Sequence, residues 1–131
     1  MKTLFLNILM FATIFVSCKK TKTTTTPNDE LSGRWSLVEI SKGFGGSETF
    51  RVNDIIWEFN SNNTINVTLN VNPNLEIPLD APGIYNYTVN GNQITLPNGI
   101  TFEFKLLSNG TMLRLSDNGA ADGDIVTLQK I

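Results

Sequence analysis

The chain predicts an all-β fold over residues 31–131: eight antiparallel strands in an up-and-down meander that closes into a barrel. Three observations predict it. The hydrophobic period from position 31 onward is two, with no convincing helical period beyond the N-terminal apolar stretch. Short Asn- and Gly-rich stretches punctuate the alternating segments. Each connection joins strands that are neighbours in sequence, and eight such strands commonly close on themselves, which removes their exposed edges.

The strands follow in order. "GRWSLVEI" (33–40) opens the series, and "DIIWEF" (54–59) offers Ile55, Trp57 and Phe59 to one face. "TINVTLNV" (64–71) alternates without a fault, with Ile65, Val67, Leu69 and Val71 on one side and Thr64, Asn66, Thr68 and Asn70 on the other. "IYNYTV" (84–89) offers Tyr85, Tyr87 and Val89, and "QITL" (93–96) offers Ile94 and Leu96. "TFEFKL" (101–106) presents Phe102, Phe104 and Leu106. "TMLRL" (111–115) and "DIVTLQKI" (124–131) complete the set with Leu113, Leu115, Val126 and Leu128. Asn90-Gly91 and Asn109-Gly110 suit tight hairpins because both central residues tolerate positive φ, and "NSNN" (60–63) and Asn98-Gly99 are further turns.

Sorting the connections by parity separates the two ends of the meander. The connections after strands two, four and six are short. Three of the four at the other end, 41–53, 70–82 and 117–123, are long. Loops of about 12 residues without structure of their own are usually functional or disordered, so the chain predicts one tight end and one open, decorated mouth.

Ahead of the strands lie two segments of different character. Met1-Lys2 is a short basic start, and Leu4 to Val16 is apolar except for Asn7 and Thr13. That length suits a signal-peptide core and falls short of the roughly 20 residues of a spanning helix. Cys18, the single cysteine, ends the run, and "KKTKTTTTPNDE" follows it. One cysteine excludes an internal disulfide, and the absence of histidine excludes a Cys–His pair or a Cys/His zinc site. With "FVSC" as lipobox, the start resembles a bacterial lipoprotein precursor, although Phe15 stands where that pattern usually has Leu. The resemblance implies cleavage before Cys18 and acylation there, and several acyl chains give stable anchoring. The expected organisation is therefore a signal peptide over 1–17, a lipidated cysteine and flexible tether over 18–30, and the barrel over 31–131. The tether is too polar to pack, and as a coil its ends would lie roughly 20 Å apart.

Charge excludes one class of partner. Four of the ten basic residues (Lys2, Lys19, Lys20 and Lys22) precede position 29, so positions 29–131 set only six against all twelve acidic residues. A domain this acidic repels nucleic acid. In related bacteria an acidic run after the lipidated cysteine accompanies export to the cell surface. This chain has "KKTK" there, which by that resemblance points to the periplasmic face of the outer membrane.

"LSGRWSL" places a Gly-x-Trp pair, Gly33 and Trp35, at the start of the first strand. Together with the hairpin order and the long first loop, this resembles a lipocalin-like (calycin) domain over about 31–131. The resemblance implies an eight-stranded barrel in which a basic side chain near the C-terminus stacks on the Trp. Arg114 and Lys130 are the candidates here, with Arg114 on the seventh strand taken into the motif. Trp35 is expected to plug the closed end, since large aromatics mostly serve packing.

Catalytic patterns are sparse. Without histidine the commonest general base is missing, and neither a Gly-x-Ser-x-Gly elbow nor a phosphate-cradling Gly-Lys-Ser/Thr loop occurs. "GFGGS" (43–47) precedes no helix and is expected to be a mobile loop. Glu58 and Glu103 fall on the face opposite the aromatic residues, so they are expected outside and solvated. Asp117, Asn118, Asp122 and Asp124 form a plain turn in preference to a calcium loop, because the EF-hand ligand order is lacking. The chain is expected to be a non-enzyme without cofactor or metal. Two functions remain open. Trp57, Phe59, Tyr85, Tyr87, Phe102 and Phe104 would line a site for a small hydrophobic or amphipathic ligand, or would simply fill the barrel. In the second case the mouth loops would engage a protein through Phe44, Phe50 and Leu75.

Overall fold

The computed structural model describes residues 26–117 and 122–131. Residues 1–25, which hold the expected signal peptide, Cys18 and the first part of the expected tether, lie outside the described residues, as does Asn118. The architecture is an all-β, antiparallel, nearly closed barrel, as the alternation predicts.

A short helix α1 (Pro27–Leu31) comes first. All but Leu31 of it falls in the stretch that composition assigns to the tether, and five residues are too few to display a helical period. The Asp29 carboxylate accepts from the Thr26 hydroxyl at 2.7 Å and from its N–H at 3.3 Å, which holds the first turn. Leu31 is fully buried, so the packed domain begins within this helix.

The strands are β1 (Gly33–Lys42), β2 (Gly46–Thr49), β3 (Ile55–Phe59), β4 (Thr64–Leu69), β5 (Gly83–Asn86), β6 (Thr88–Asn90), β7 (Gln93–Thr95), β8 (Thr101–Leu107), β9 (Met112–Asp117) and β10 (Ile125–Lys130). Their order in the sheet is β5-β4-β3-β1-β10-β9-β8-β7-β6, with β2 on β1. All eight expected strands are present. The expected fourth strand is divided at Tyr87 into β5, which pairs with β4, and β6, which pairs with β7. The two ends of the sheet are thus joined by one residue, whose N–H donates to the Asn63 carbonyl at 2.9 Å. The first and last expected strands pair along most of their length, with Trp35 opposite Lys130 and Ser41 opposite Ile125.

β2 is a strand where a long loop is expected. β1 runs on to Lys42, turns, and pairs back through Glu39–Thr49 and Lys42–Gly46. β1 therefore forks. Its first half pairs with β3 and its second half with β2, on the same edge. A bulge between Leu37 and Glu39 lies at the fork, and the Val38 carbonyl there accepts from the Phe50 N–H. Gly43 in the β1–β2 turn packs so closely on Asp122 that a β-carbon would collide with the Asp122 backbone carbonyl.

The Asn90-Gly91 turn also differs from expectation. Asn90 is the last residue of β6, opposite Gln93, and the loop is Gly91-Asn92. Gly91 takes φ +60° while Asn90 and Asn92 keep negative φ, so glycine supplies the positive angle at the first loop position.

The core is the barrel interior. Inward residues alternate with exposed ones along β4, β8 and β9, and Trp35, Trp57, Phe59 and Phe102 are among the largest fully buried side chains. One end carries α1 and the turns 60–63, 90–92 and 108–110. The other carries 43–45, 50–54, 70–82, 96–100 and the connection from β9 to β10.

Candidate functional site

The closed end is sealed by Trp35. Its indole N–H donates to the Leu31 carbonyl at 2.8 Å, which ties α1 across the bottom of the barrel. Lys130 places its ammonium 5.3 Å from the centre of the Trp35 ring, the pairing expected of the strands' register. Arg114 is not the stacking residue. Leu113 and Leu115 take the inward positions of β9, so Arg114 points outward between Lys105 and Thr127 on the neighbouring strands. Gly33 has φ +121°, an angle that suits glycine, and the Lys130 stem lies 3.5 Å from where a β-carbon would be. Gly33, Trp35 and Lys130 thus form one structural unit at the sealed end.

The open end is covered. Segment 70–82 has no regular structure, yet it is held along its length. Asn70 donates its backbone N–H to the Asp54 carbonyl and its side-chain amide to the Asn53 carbonyl. The Glu48 carboxylate on β2 accepts from the Asn74 N–H, the Asn74 side-chain amide and the Leu75 N–H, the last at 2.7 Å. These donors, the two backbone N–H groups foremost, hold the Glu48 carboxyl below the usual carboxylate range. On the far side the Asn98 amide donates to the Pro78 carbonyl at 3.1 Å, and the Tyr85 hydroxyl donates to the Ala81 carbonyl at 2.7 Å. Between these holds Ile77 and Leu79 are buried in the barrel's hydrophobic core, at 2% and 3% exposure. The segment is a lid with two apolar side chains pushed into the mouth.

A cleft of about 410 Å³ remains at the rim of the lid. Lys42, Glu76, Tyr85, Asn98 and Asp124 are among its walls, and the Lys42 ammonium meets the Asp124 carboxylate at 2.6 Å. Its volume suits a small molecule, although its rim is charged. Among the described residues no three His, Cys, Asp or Glu side chains stand close enough to hold a metal ion.

The residues singled out in the sequence separate into three groups. Trp57, Phe59, Tyr87, Phe102 and Phe104 are brought together inside the barrel, all buried. Phe59 meets Trp57 at 6.4 Å and Tyr87 edge-to-face at 5.4 Å. Tyr85 stands apart at the mouth, half-buried against the lid. Of the three loop residues, Phe44 is 90% exposed at the tip of the β1–β2 hairpin. Phe50 and Leu75 instead pack against the core, so they support the mouth rather than project from it. Sequence reasoning misses Glu48, Ile77, Leu79 and Asn98. The alternation in "LEIPL" (75–79) is the signal that marks the lid's inward side chains, and it lies within a stretch otherwise legible only as loop.

The Trp and Tyr side chains divide by their hydrogen bonding. Trp35 and Tyr85 give their polar hydrogens to backbone carbonyls. The Trp57 indole nitrogen and the Tyr87 hydroxyl are buried without a hydrogen-bond partner among the described residues. Burial pushes the Tyr87 phenol above its ordinary pKa, so it stays a neutral hydroxyl.

No protein-family model matches the sequence, and no curated protein matches it significantly. One solved structure shares the fold. A lipocalin-like protein from Bacteroides uniformis superposes with a TM-score of 0.52 at 20% identity, over 78% of this chain and 99% of its own. An uncharacterized protein from Bacteroides eggerthii gives a TM-score of 0.48 at 15% identity, over 77% and 99%. The nearly closed antiparallel barrel, sealed below by Trp35 and shared over almost the whole length of the first of these structures, makes the fold of this chain lipocalin-like.

Proposed function

We propose that this protein is a membrane-anchored lipocalin-like lipoprotein that binds or carries a small hydrophobic or amphipathic ligand. One observation carries the reading: an aromatic interior whose mouth is stopped by a hydrogen-bonded lid, with Ile77 and Leu79 where a ligand's apolar end would sit. A barrel that had only to be filled would not need a plug supplied by a separate, latched segment. Binding exchanges Ile77 and Leu79 for the ligand, so the bound molecule restores the apolar packing that the lid gives up. The role is binding, not catalysis, and needs no cofactor.

Anchoring rests on Cys18 and the apolar run before it. Thr26 and α1 stand at the closed end, eight residues after Cys18, which spans at most about 28 Å. An acylated Cys18 would hold the closed end towards the bilayer and turn the mouth to the aqueous phase, at the periplasmic face of the outer membrane. The test is native mass spectrometry of the lipoprotein isolated from its own membrane. A reproducible added mass that extracts into organic solvent is expected. A clean apo mass, unchanged after incubation with a total lipid extract, overturns the ligand reading.

A second reading is favoured by Phe44, an aromatic ring left 90% exposed on a hairpin tip. It makes the mouth a protein-docking surface. Phe44→Ser separates the two: loss of a co-purifying protein with lipid binding intact supports docking. Phe50 does not serve this test, because it packs on the core.

A further inference from the structure

The barrel interior offers hydrogen-bond donors and no charge. The chain has two Trp and two Tyr. Trp35 and Tyr85 are satisfied by backbone carbonyls, whereas Trp57, opposite Trp35 in the register, and Tyr87 are not. Trp57 is fully buried and Tyr87 is 2% exposed, so solvent does not serve them in the lidded state. Buried polar groups without a partner are rare, because each forfeits its bond to water. Both rings pack on Phe59, so the two orphans belong to one aromatic cluster.

The surroundings decide what would satisfy them. An indole N–H only donates, and a neutral phenol donates readily. The complement is an acceptor oxygen. Among the described residues the buried set is apolar apart from Ser36, whose hydroxyl already accepts the Asn53 N–H at 2.9 Å. Among them no lysine or arginine lies inside to balance an anion, and burying an unpaired carboxylate costs far more than two neutral donors return.

We infer that Trp57 Nε1 and Tyr87 OH are the polar handles of the barrel, and that they select an apolar molecule with a neutral acceptor oxygen, a ketone, ester or alcohol, over one with an ionised carboxylate. This rests on the ligand-carrying reading above and names the class of ligand. The acceptor reaches the pair when the 70–82 lid withdraws Ile77 and Leu79, with the Glu48 and Asn98 hydrogen bonds released.

The test uses the full lipoprotein in a non-ionic detergent and three radiolabelled ten-carbon probes: decane, 2-decanone and decanoate at pH 7.4. Uptake of a probe by micelles is common to wild type and variants and cancels in their ratio. Trp57→Phe and Tyr87→Phe are each expected to weaken 2-decanone binding about fivefold more than decane binding, the worth of one ordinary hydrogen bond, the decane change being the measure of altered apolar contact alone. Removing an orphan hydroxyl should leave the apo melting temperature of Tyr87→Phe unchanged or raised. The inference fails, with the ligand reading intact, if decane and 2-decanone change alike, or if decanoate suffers the largest loss. It also fails if Tyr87→Phe melts several degrees lower, which would mean that a buried water already satisfies the hydroxyl. No binding of any probe by wild type overturns both readings.

Discussion

Replacing Ile77 by alanine measures whether the lid is part of the core or merely rests on it. The substitution removes three carbons from a side chain that is 2% exposed and belongs to the barrel's hydrophobic cluster. At about 0.8 kcal/mol per buried methylene the transfer loss is about 2.4 kcal/mol. An unrelaxed cavity would add to this, but Ile77 also borders the open cleft at the mouth, where water and the irregular lid backbone fill part of the space. The expected loss is therefore about 2–3 kcal/mol, at the lower end of large-to-small core changes. Urea denaturation followed by circular dichroism reads it as a lower midpoint with an unchanged m-value. Glu76→Ala, one residue away and exposed, is the control and should stay within about 0.5 kcal/mol of wild type. A loss below about 0.5 kcal/mol for Ile77→Ala would refute the reasoning, because it would mean that the mouth is not stopped by this side chain.

Three further outcomes follow from other parts of the fold. Glu48 is held below its ordinary value by its lid donors, so its contribution to lid closure is present above that value and is lost as pH falls through the lower, folded one. Hydrogen exchange at the Leu75 amide, corrected for intrinsic rate, should stay flat from pH 7 to about 5 and rise only below the ordinary 4.5, while Glu48→Gln removes that dependence; equal profiles for the two would refute the latch. Lys130→Met should cost about 0.5–1 kcal/mol through loss of the cation over Trp35. Arg114→Gln, on the outer face of β9, should stay within about 0.5 kcal/mol, and the reverse order in thermal melts would return Arg114 to the motif. Cys18→Ala should move the protein out of the membrane fraction, and equal retention of both forms would remove the anchor.

The strands were legible because their cause is local. A half-buried strand must alternate, and "TINVTLNV" and "TFEFKL" do so whatever surrounds them. The short turns were legible for the same reason, although which residue of Asn90-Gly91 takes the positive angle was settled by the register of β6 on β7. β2 was not legible. "GSET" has no apolar face, and it becomes a strand because β1 outruns β3 and leaves an edge to be paired. α1 was hidden in a polar stretch because Leu31 alone is buried among residues 28–31, and one residue makes no period.

What the sequence determined by itself is the eight expected strands, their meander order and the contrast between a tight end and a loop-rich one, all consequences of spacing along the chain, while the Trp35 end followed from the resemblance carried by Gly33 and Trp35. Only the tertiary structure decided what the loop-rich end does. Glu48 meets Leu75 across 27 positions and Asn98 meets Pro78 across 20, so the lid exists only once the barrel has brought those segments together. The same closure chose Lys130 over Arg114, because the residue opposite Trp35 is a matter of register between the first and last strands. It also separated four similar aromatic side chains into two with partners and two without, since burial and hydrogen bonding are properties of a place in space and not of a residue type.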